Sequence, residues 1–117
     1  MLKESTLRNQ LDFKVVYNKG KSKVSRFMVI IYKKNGLKYS RLAYVSSKKV
    51  GNSVRRNRSR RLMREAYRLL GCEVKNGYDV IFIARNSIND HKCEEVRRSM
   101  YGVLRSEHLL DLSLIHI

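Results

Sequence analysis

Acidic residues are scarce in this 117-residue chain: ten Asp and Glu stand against 26 Lys and Arg, a formal net charge of +16. A surface of that sign repels cations and leaves a polyanion as the partner it attracts. Cysteine is nearly absent. Cys72 and Cys93 form neither a CxxC unit nor two pairs, which excludes a zinc site of the usual spacing. Both are expected as free thiols, Cys93 on the core face of a C-terminal helix. No apolar run approaches the ~18 residues that cross a bilayer. The opening MLKESTLRNQ holds no signal-peptide core, so a cytoplasmic protein is expected. Catalytic groups are missing as well. Phosphodiester hydrolysis usually needs clustered carboxylates for metal ions or paired histidines for acid and base. Glu94 and Glu95 are adjacent and point about 100° apart on a helix, while His91 with Glu95 at i,i+4 reads as a surface pair. His108 and His116 fall in a terminal segment, from Ser106 onward, whose structure the sequence does not define. We therefore expect no catalytic residue and no metal ligand within the chain.

What is present is concentrated between Lys48 and Arg68, KKVGNSVRRNRSRRLMREAYR, where nine Lys or Arg side chains meet one acid, Glu65. Gly51 ends what precedes, and Asn52 or Ser53 can cap a helix. At 3.6 residues per turn, Leu62, Met63, Ala66, Tyr67, Leu69 and Leu70 share one side; Asn57, Arg61, Arg64 and Arg68 share the other, flanked by Arg58 and Arg60. A solvated face would alternate its signs. Here Arg56, Arg60, Arg64 and Arg68 repeat at i,i+4, each like-charged pair costing about 0.2–0.5 kcal/mol. Arg55, Arg56 and Arg58 sit at the helix N-terminus, where the macrodipole disfavours cations. Seven of the nine are Arg, whose planar fork binds phosphate bidentately and stacks on bases. That pattern marks a face for a polyanion.

Arg56-Asn57-Arg58, then Arg60-Arg61 and Arg64-Glu65-Ala66, resembles the RNR signature of the bacterial ribonuclease P protein subunit. RLAYVSSKKVG, Arg41 to Gly51, is similar to the strand and turn before that signature. Phe13 and Tyr17 resemble the paired N-terminal aromatics, and DVIFIAR, Asp79 to Arg85, resembles the last strand. The similarity spans about residues 7 to 105. It implies that Lys48, Lys49, Asn52, Arg56, Asn57, Arg58, Arg60, Arg61, Arg64 and Arg68 bind the catalytic RNA subunit. It also implies that Phe13 and Tyr17 border a cleft for the single-stranded 5′ leader of precursor tRNA, with Tyr32 a further candidate whose strand register is open by one residue. If Ile31 faces the cleft, Tyr32 does not. The catalytic Mg²⁺ is then expected on the RNA subunit and substrate, and no protein partner or membrane is required.

The rest of the chain supplies a scaffold. Asn9 caps a helix expected to run to about Lys19 and to close at Gly20 in a left-handed conformation. Phe13, Val16 and Tyr17 lie on one side of it, a spacing that on its own reads as a core stripe. Lys21 to Arg26 reads as a basic connector, Phe27–Tyr32 as a strand, and Asn35-Gly36 as a hairpin turn into a second strand over Ser40–Ser47. Gly71 to Gly77 is a link. The unbroken apolar run Tyr78–Ala84 suits a central strand covered on both faces. Ser87 or Asn89 starts a final helix with Cys93, Val96, Met100, Val103 and Leu104 on its core face.

These elements predict one domain, residues 1–117, as an α+β sandwich of helices on a mainly antiparallel sheet. The family resemblance implies four strands in the order α-β-β-β-α-β-α, with a left-handed βαβ crossover through the basic helix, a hand that general rules would reject. The expected function is that of a ribonuclease P protein subunit assisting removal of the tRNA 5′ leader. The alternative is a ribosomal-type or general RNA-binding protein, which charge alone does not separate from it. Binding to anionic membranes would need apolar anchors that the core requires.

Overall fold

The computed structural model describes residues 5–112. A two-residue strand, β1 (Ser5–Thr6), leads to helix α1 (Gln10–Lys19). Asn9 caps α1 as expected, its Oδ1 accepting from the amides of Leu11 at 2.9 Å and Asp12 at 3.2 Å. Gly20 closes the helix, but at φ −73° and ψ 163°, not in the left-handed region. Its side-chain hydrogen is required by contact. A Cβ there would lie 2.5 Å from Val16 O, 2.8 Å from Tyr32 O and 2.9 Å from Ile31 Cγ2.

The segment read as a connector forms an edge strand, β2 (Lys21–Val24), with all four residues exposed. It pairs antiparallel with β3 (Met28–Lys34), which is followed by β4 (Arg41–Val45). A short 3₁₀ turn, Lys48–Val50, enters α2 (Ser53–Arg68), and β5 (Glu73–Val74) precedes β6 (Tyr78–Ala84). A second 3₁₀ turn takes up Asn86–Asp90. The last helix, α3 (Cys93–Ser106), therefore starts later than Ser87 or Asn89 would have it, with Glu95 Oε1 accepting from the Lys92 amide at 3.2 Å. Beyond it β7 (Leu110–Asp111) pairs with β5, and Leu109 and Leu110 are buried, so part of the tail is built into the fold. Residues 113–117 lie outside the described segment.

The main sheet runs β1-β4-β6-β3-β2. Among its four longer strands two of the three pairings are antiparallel, while β4 runs parallel to β6. The expected β3–β4 hairpin does not form. The apolar strand β6 sits between its two arms, and Asn35-Gly36 instead starts a wider loop in which Asn35 N donates to Gly77 O at 2.9 Å and Gly36 takes φ +73°. Local turn chemistry was satisfied without strand pairing, because burying β6 on both faces removes more apolar surface from water.

The sheet separates two cores. On one face Met28, Ile30, Leu42, Val80 and Phe82 pack against Met63, Ala66 and Tyr67 of α2 and Val96, Met100 and Leu104 of α3. On the other, Ile31, Ala43 and Ile81 pack against Val16 of α1 and Leu7. Of the apolar face predicted for α2, Leu69 departs: it lies just past Arg68, where the helix has ended, and is 45% exposed.

The hand of the β4–α2–β6 crossover follows from chain chirality. In an L-peptide strand running upward, a residue whose side chain faces the viewer directs its own N–H and C=O to the right. Arg85 N donates to Phe27 O at 2.9 Å, so in the alternating antiparallel ladder Ile81 and Ile83 address β3 while Phe82 addresses β4. Phe82 faces α2, hence β4 lies to the right of β6 when α2 is in front. The chain moves leftward over the helix, and the crossover is left-handed, against the general preference.

Candidate RNA interface

Asn52 starts α2, its Oδ1 accepting from Arg55 N at 3.0 Å, and Gly51 before it takes φ 139°, a conformation that disfavours a side chain. Two further contacts steady this end. Arg56 Nη1 donates to Gly51 O at 2.9 Å, and Asn89 Nδ2 donates to Arg55 O at 2.9 Å from the second 3₁₀ turn. With Ser59, Met63, Ala66 and Tyr67 buried, the helix must present its opposite side outward. Asn57, Arg60, Arg61 and Arg64 together line a shallow depression of about 350 Å³. Arg60 Nη2 donates to Asn57 Oδ1, which orders the signature side chains among themselves. Lys48 and Lys49 are exposed at the approach to the helix, and Arg58 is exposed on its first turns. The structure thus brings Asn57, Arg60, Arg61 and Arg64 together on one open face, while Lys48, Lys49 and Arg58 are exposed as well.

Arg68 differs from the rest. It pairs with Glu65 across one turn, and this hydrogen bond holds the Glu65 carboxyl below its usual range while raising Arg68. A phosphate at Arg68 must compete with that carboxylate. Arg64 stands at a boundary, its guanidinium carbon 5.2 Å from the centroid of the Tyr44 ring, which in turn stacks on buried Phe82 at 5.3 Å and 11°.

Arg64 and Tyr44 also wall a second cleft of about 350 Å³, with Thr6, Leu7, Phe13, Leu42, Ala43 and Val45. The cleft curls around the outer edge of β4, between α1 on one face and α2 on the other; β1 covers that edge only opposite Arg41 and Leu42. Phe13 is half-buried there. Tyr17 is 55% exposed, with its ring 6.3 Å from Phe13 at 15°. Arg8, Gln10 and Lys14 extend the Phe13 side with a further open depression. An aromatic-lined groove flanked by cations suits unpaired bases and their phosphates.

Tyr32 is not in this cleft, which corrects the expectation. Its ring lies on the α2–α3 face, buried, with Oη donating to Glu107 Oε1 at 2.6 Å. Burial, then Glu107, pushes its phenol up to about 12. The register places Ile31, not Tyr32, on the side of Phe13. Tyr44 was the aromatic to find. Its alternation with Leu42 was visible in RLAYV, but the sequence did not show that α2 lies over this end of β4.

Three helices over a mixed sheet, with a basic helix beside an aromatic-lined cleft, define a small α+β protein with a cationic face. The family model described as Ribonuclease P matches residues 1–107. The chain belongs to the ribonuclease P protein component family. It is 44% identical over 94 residues to the ribonuclease P protein component of Thermoanaerobacter sp. (strain X514), covering 80% of this chain and 81% of that one. The protein component of Clostridium botulinum (strain Loch Maree / Type A3) is 43% identical over 105 residues, covering 89% and 95%. Among solved structures, the RNase P protein of Staphylococcus aureus superimposes with a TM-score of 0.79 at 29% identity, covering 93% of this chain and all of that one. The RNase P protein of Thermotoga maritima gives 0.74 at 29% identity, covering 88% and 97%.

Proposed function

We propose that this chain binds the catalytic RNA of ribonuclease P with the strip from Lys48 to Arg68 and the 5′ leader of precursor tRNA with the cleft at Phe13. The observation that carries this reading is the shared wall: Arg64 lines both the basic depression and the aromatic cleft. One helix can therefore grip an RNA backbone while its edge presents a substrate strand alongside. Lys48, Lys49, Asn52, Arg56, Asn57, Arg58, Arg60, Arg61 and Arg64 address phosphates, with Arg68 a weaker contributor because Glu65 competes. Phosphate contacts position the complex; stacking on Phe13 and Tyr17 reads unpaired leader bases.

The chain's contribution to cleavage is affinity and placement. Among the described residues, no group of three or more His, Cys, Asp or Glu side chains is placed to hold a metal ion. The proposal puts the Mg²⁺ ions on the RNA subunit and substrate. The holoenzyme would release the leader and leave a 5′-phosphate on mature tRNA. Reconstitution tests this directly. Ribonuclease P RNA with this protein should cleave precursor tRNA at low Mg²⁺, where the RNA alone is slow; equal rates with and without the protein would reject the reading. No helix among the described residues is long and apolar enough to cross a membrane.

A further inference from the structure

Helix α1 carries Phe13 but is weakly anchored by apolar contact. Val16 is its buried residue, whereas Leu11 is 73%, Val15 43% and Tyr17 55% exposed. The C-terminal end is located by the close approach of Gly20 to β3. At the other end the Asn9 cap bonds only within its own turn. That turn meets the sheet through the half-buried Phe13 ring, packed beside Leu7, Val16 and Ile81, through Leu7 N donating to Leu42 O at 2.8 Å just before the helix, and through a polar bridge: Arg41 Nη1 donates to Asp12 Oδ2 at 2.9 Å.

Arg41 is itself held rigidly. Its Nε and Nη2 donate to the two oxygens of Asp79 at 2.8 and 2.7 Å, and the Asp79 side chain is only 5% exposed. Asn35 Nδ2 adds a third donor to Asp79 at 2.8 Å. Arg41 and Asp79 are register partners on β4 and β6, on the sheet face beneath α1. A buried carboxylate with three donors and a bidentate guanidinium leave the fork little freedom. Its remaining nitrogen is therefore a fixed point offered to the first turn of α1. Asp12 is 43% exposed on its side chain, so the Arg41–Asp12 pair adds little to stability. Its consequence is geometric.

We infer that Arg41 is a positioning residue for the leader cleft: by bridging Asp79 and Asp12 it fixes the first turn of α1, and with it the adjacent Phe13 ring, against the edge of β4. This rests on the reading of Phe13 as a leader contact. Asp12 and Arg41 touch no substrate on this account; they determine where the ring stands. Small displacements of a stacking surface lose much of its contact energy, so the effect is confined to substrates that reach the ring.

The experiment is a double-mutant cycle in the reconstituted holoenzyme, reading the ratio of affinities for precursor and mature tRNA. Asp12→Asn keeps the shape of the side chain but weakens its bond to Arg41. Arg41→Lys keeps the charge beside Asp79 but cannot span both carboxylates. Each should lower the precursor-to-mature ratio about three- to tenfold with RNA-subunit affinity unchanged; Asp12→Asn, at the exposed end of the bridge, should also shift the melting temperature by no more than a few degrees, whereas Arg41→Lys also loosens buried Asp79 and melts lower. Combined with Phe13→Leu, Asp12→Asn should add nothing further, because both act through one ring. A Phe13→Leu effect without an Asp12→Asn effect, or additivity of the two, overturns the inference and leaves the leader reading intact. No Phe13→Leu effect overturns the leader reading itself. Equal losses on precursor and mature tRNA, with a lower melting point, make the bridge merely structural and also overturn the inference.

Discussion

Arg64 lies 5.2 Å above the ring of Tyr44, and Tyr44 stacks on Phe82 in the core. A residue of the basic strip is thus seated on an aromatic column that rises from the centre of the sheet. This relationship joins the two candidate surfaces and fixes their separation. It depends on the left-handed crossover, which puts α2 on the sheet face that carries Tyr44 and Phe82.

The strip makes an electrostatic prediction. Each phosphate neutralised should contribute about 0.9 to the logarithmic salt dependence of assembly, by analogy with duplex DNA. Arg61→Ala with Arg64→Ala should flatten that slope by about one to two units. Arg68→Ala should flatten it by clearly less than Arg61→Ala, since Glu65 already engages Arg68. Titrations of labelled RNA subunit across salt concentrations measure both.

Tyr32→Phe should cost about 1.5–3 kcal/mol of stability, the range for a hydrogen bond to a charged group, and leave leader recognition untouched. The pH dependence has a definite sign. The phenol, ordinarily near 10, is raised to about 12 in the fold by burial and by Glu107. The neutral form is favoured in the fold, so this contribution is complete below about pH 10 and is lost as pH rises through about 12. Denaturant midpoints of the wild type and variant, compared between neutral pH and pH 11, should converge as pH increases.

Gly20→Ala should destabilise by about 1–3 kcal/mol through overpacking, since the added Cβ meets Val16 O, Tyr32 O and Ile31. Gly36→Asn should be close to neutral. Its φ of +73° is one Asn adopts readily, and nothing lies within 4 Å of an added Cβ. Thermal melts of the two variants separate a glycine kept for contact from one kept for backbone conformation.

Much of the architecture was legible where local signals and burial agreed. α2 announced itself through Asn52 and its opposed apolar and basic sides, and β6 through an apolar run that only a central strand needs. Val96, Met100 and Leu104 marked the core side of α3. What failed were statements about pairing. Asn35-Gly36 carries a hairpin's turn residues, but the chain spaced its arms by the width of β6. Lys21, Ser22 and Lys23 read as a connector because they lack an apolar face, as an exposed edge strand does. The sequence leaves Tyr32 and Ile31 as alternatives for the cleft, because a one-residue slip moves every side chain of a strand to the other side, and the structure selects Ile31. Tyr44 entered the site through the position of α2, a tertiary fact with no local signature.

The central claim is a division of labour between strip and cleft. It is tested by measuring holoenzyme affinity for precursor tRNA and for mature tRNA with Phe13→Leu and, separately, Arg61→Ala. Phe13→Leu should weaken precursor binding about five- to hundredfold, the scale of a ~1–3 kcal/mol stacking contact, and leave mature tRNA and RNA-subunit assembly unchanged. Arg61→Ala should weaken assembly while preserving the precursor-to-mature ratio. If Phe13→Leu weakens both tRNAs equally, or if Arg61→Ala changes the ratio without affecting assembly, the two surfaces do not divide the work and the account is contradicted.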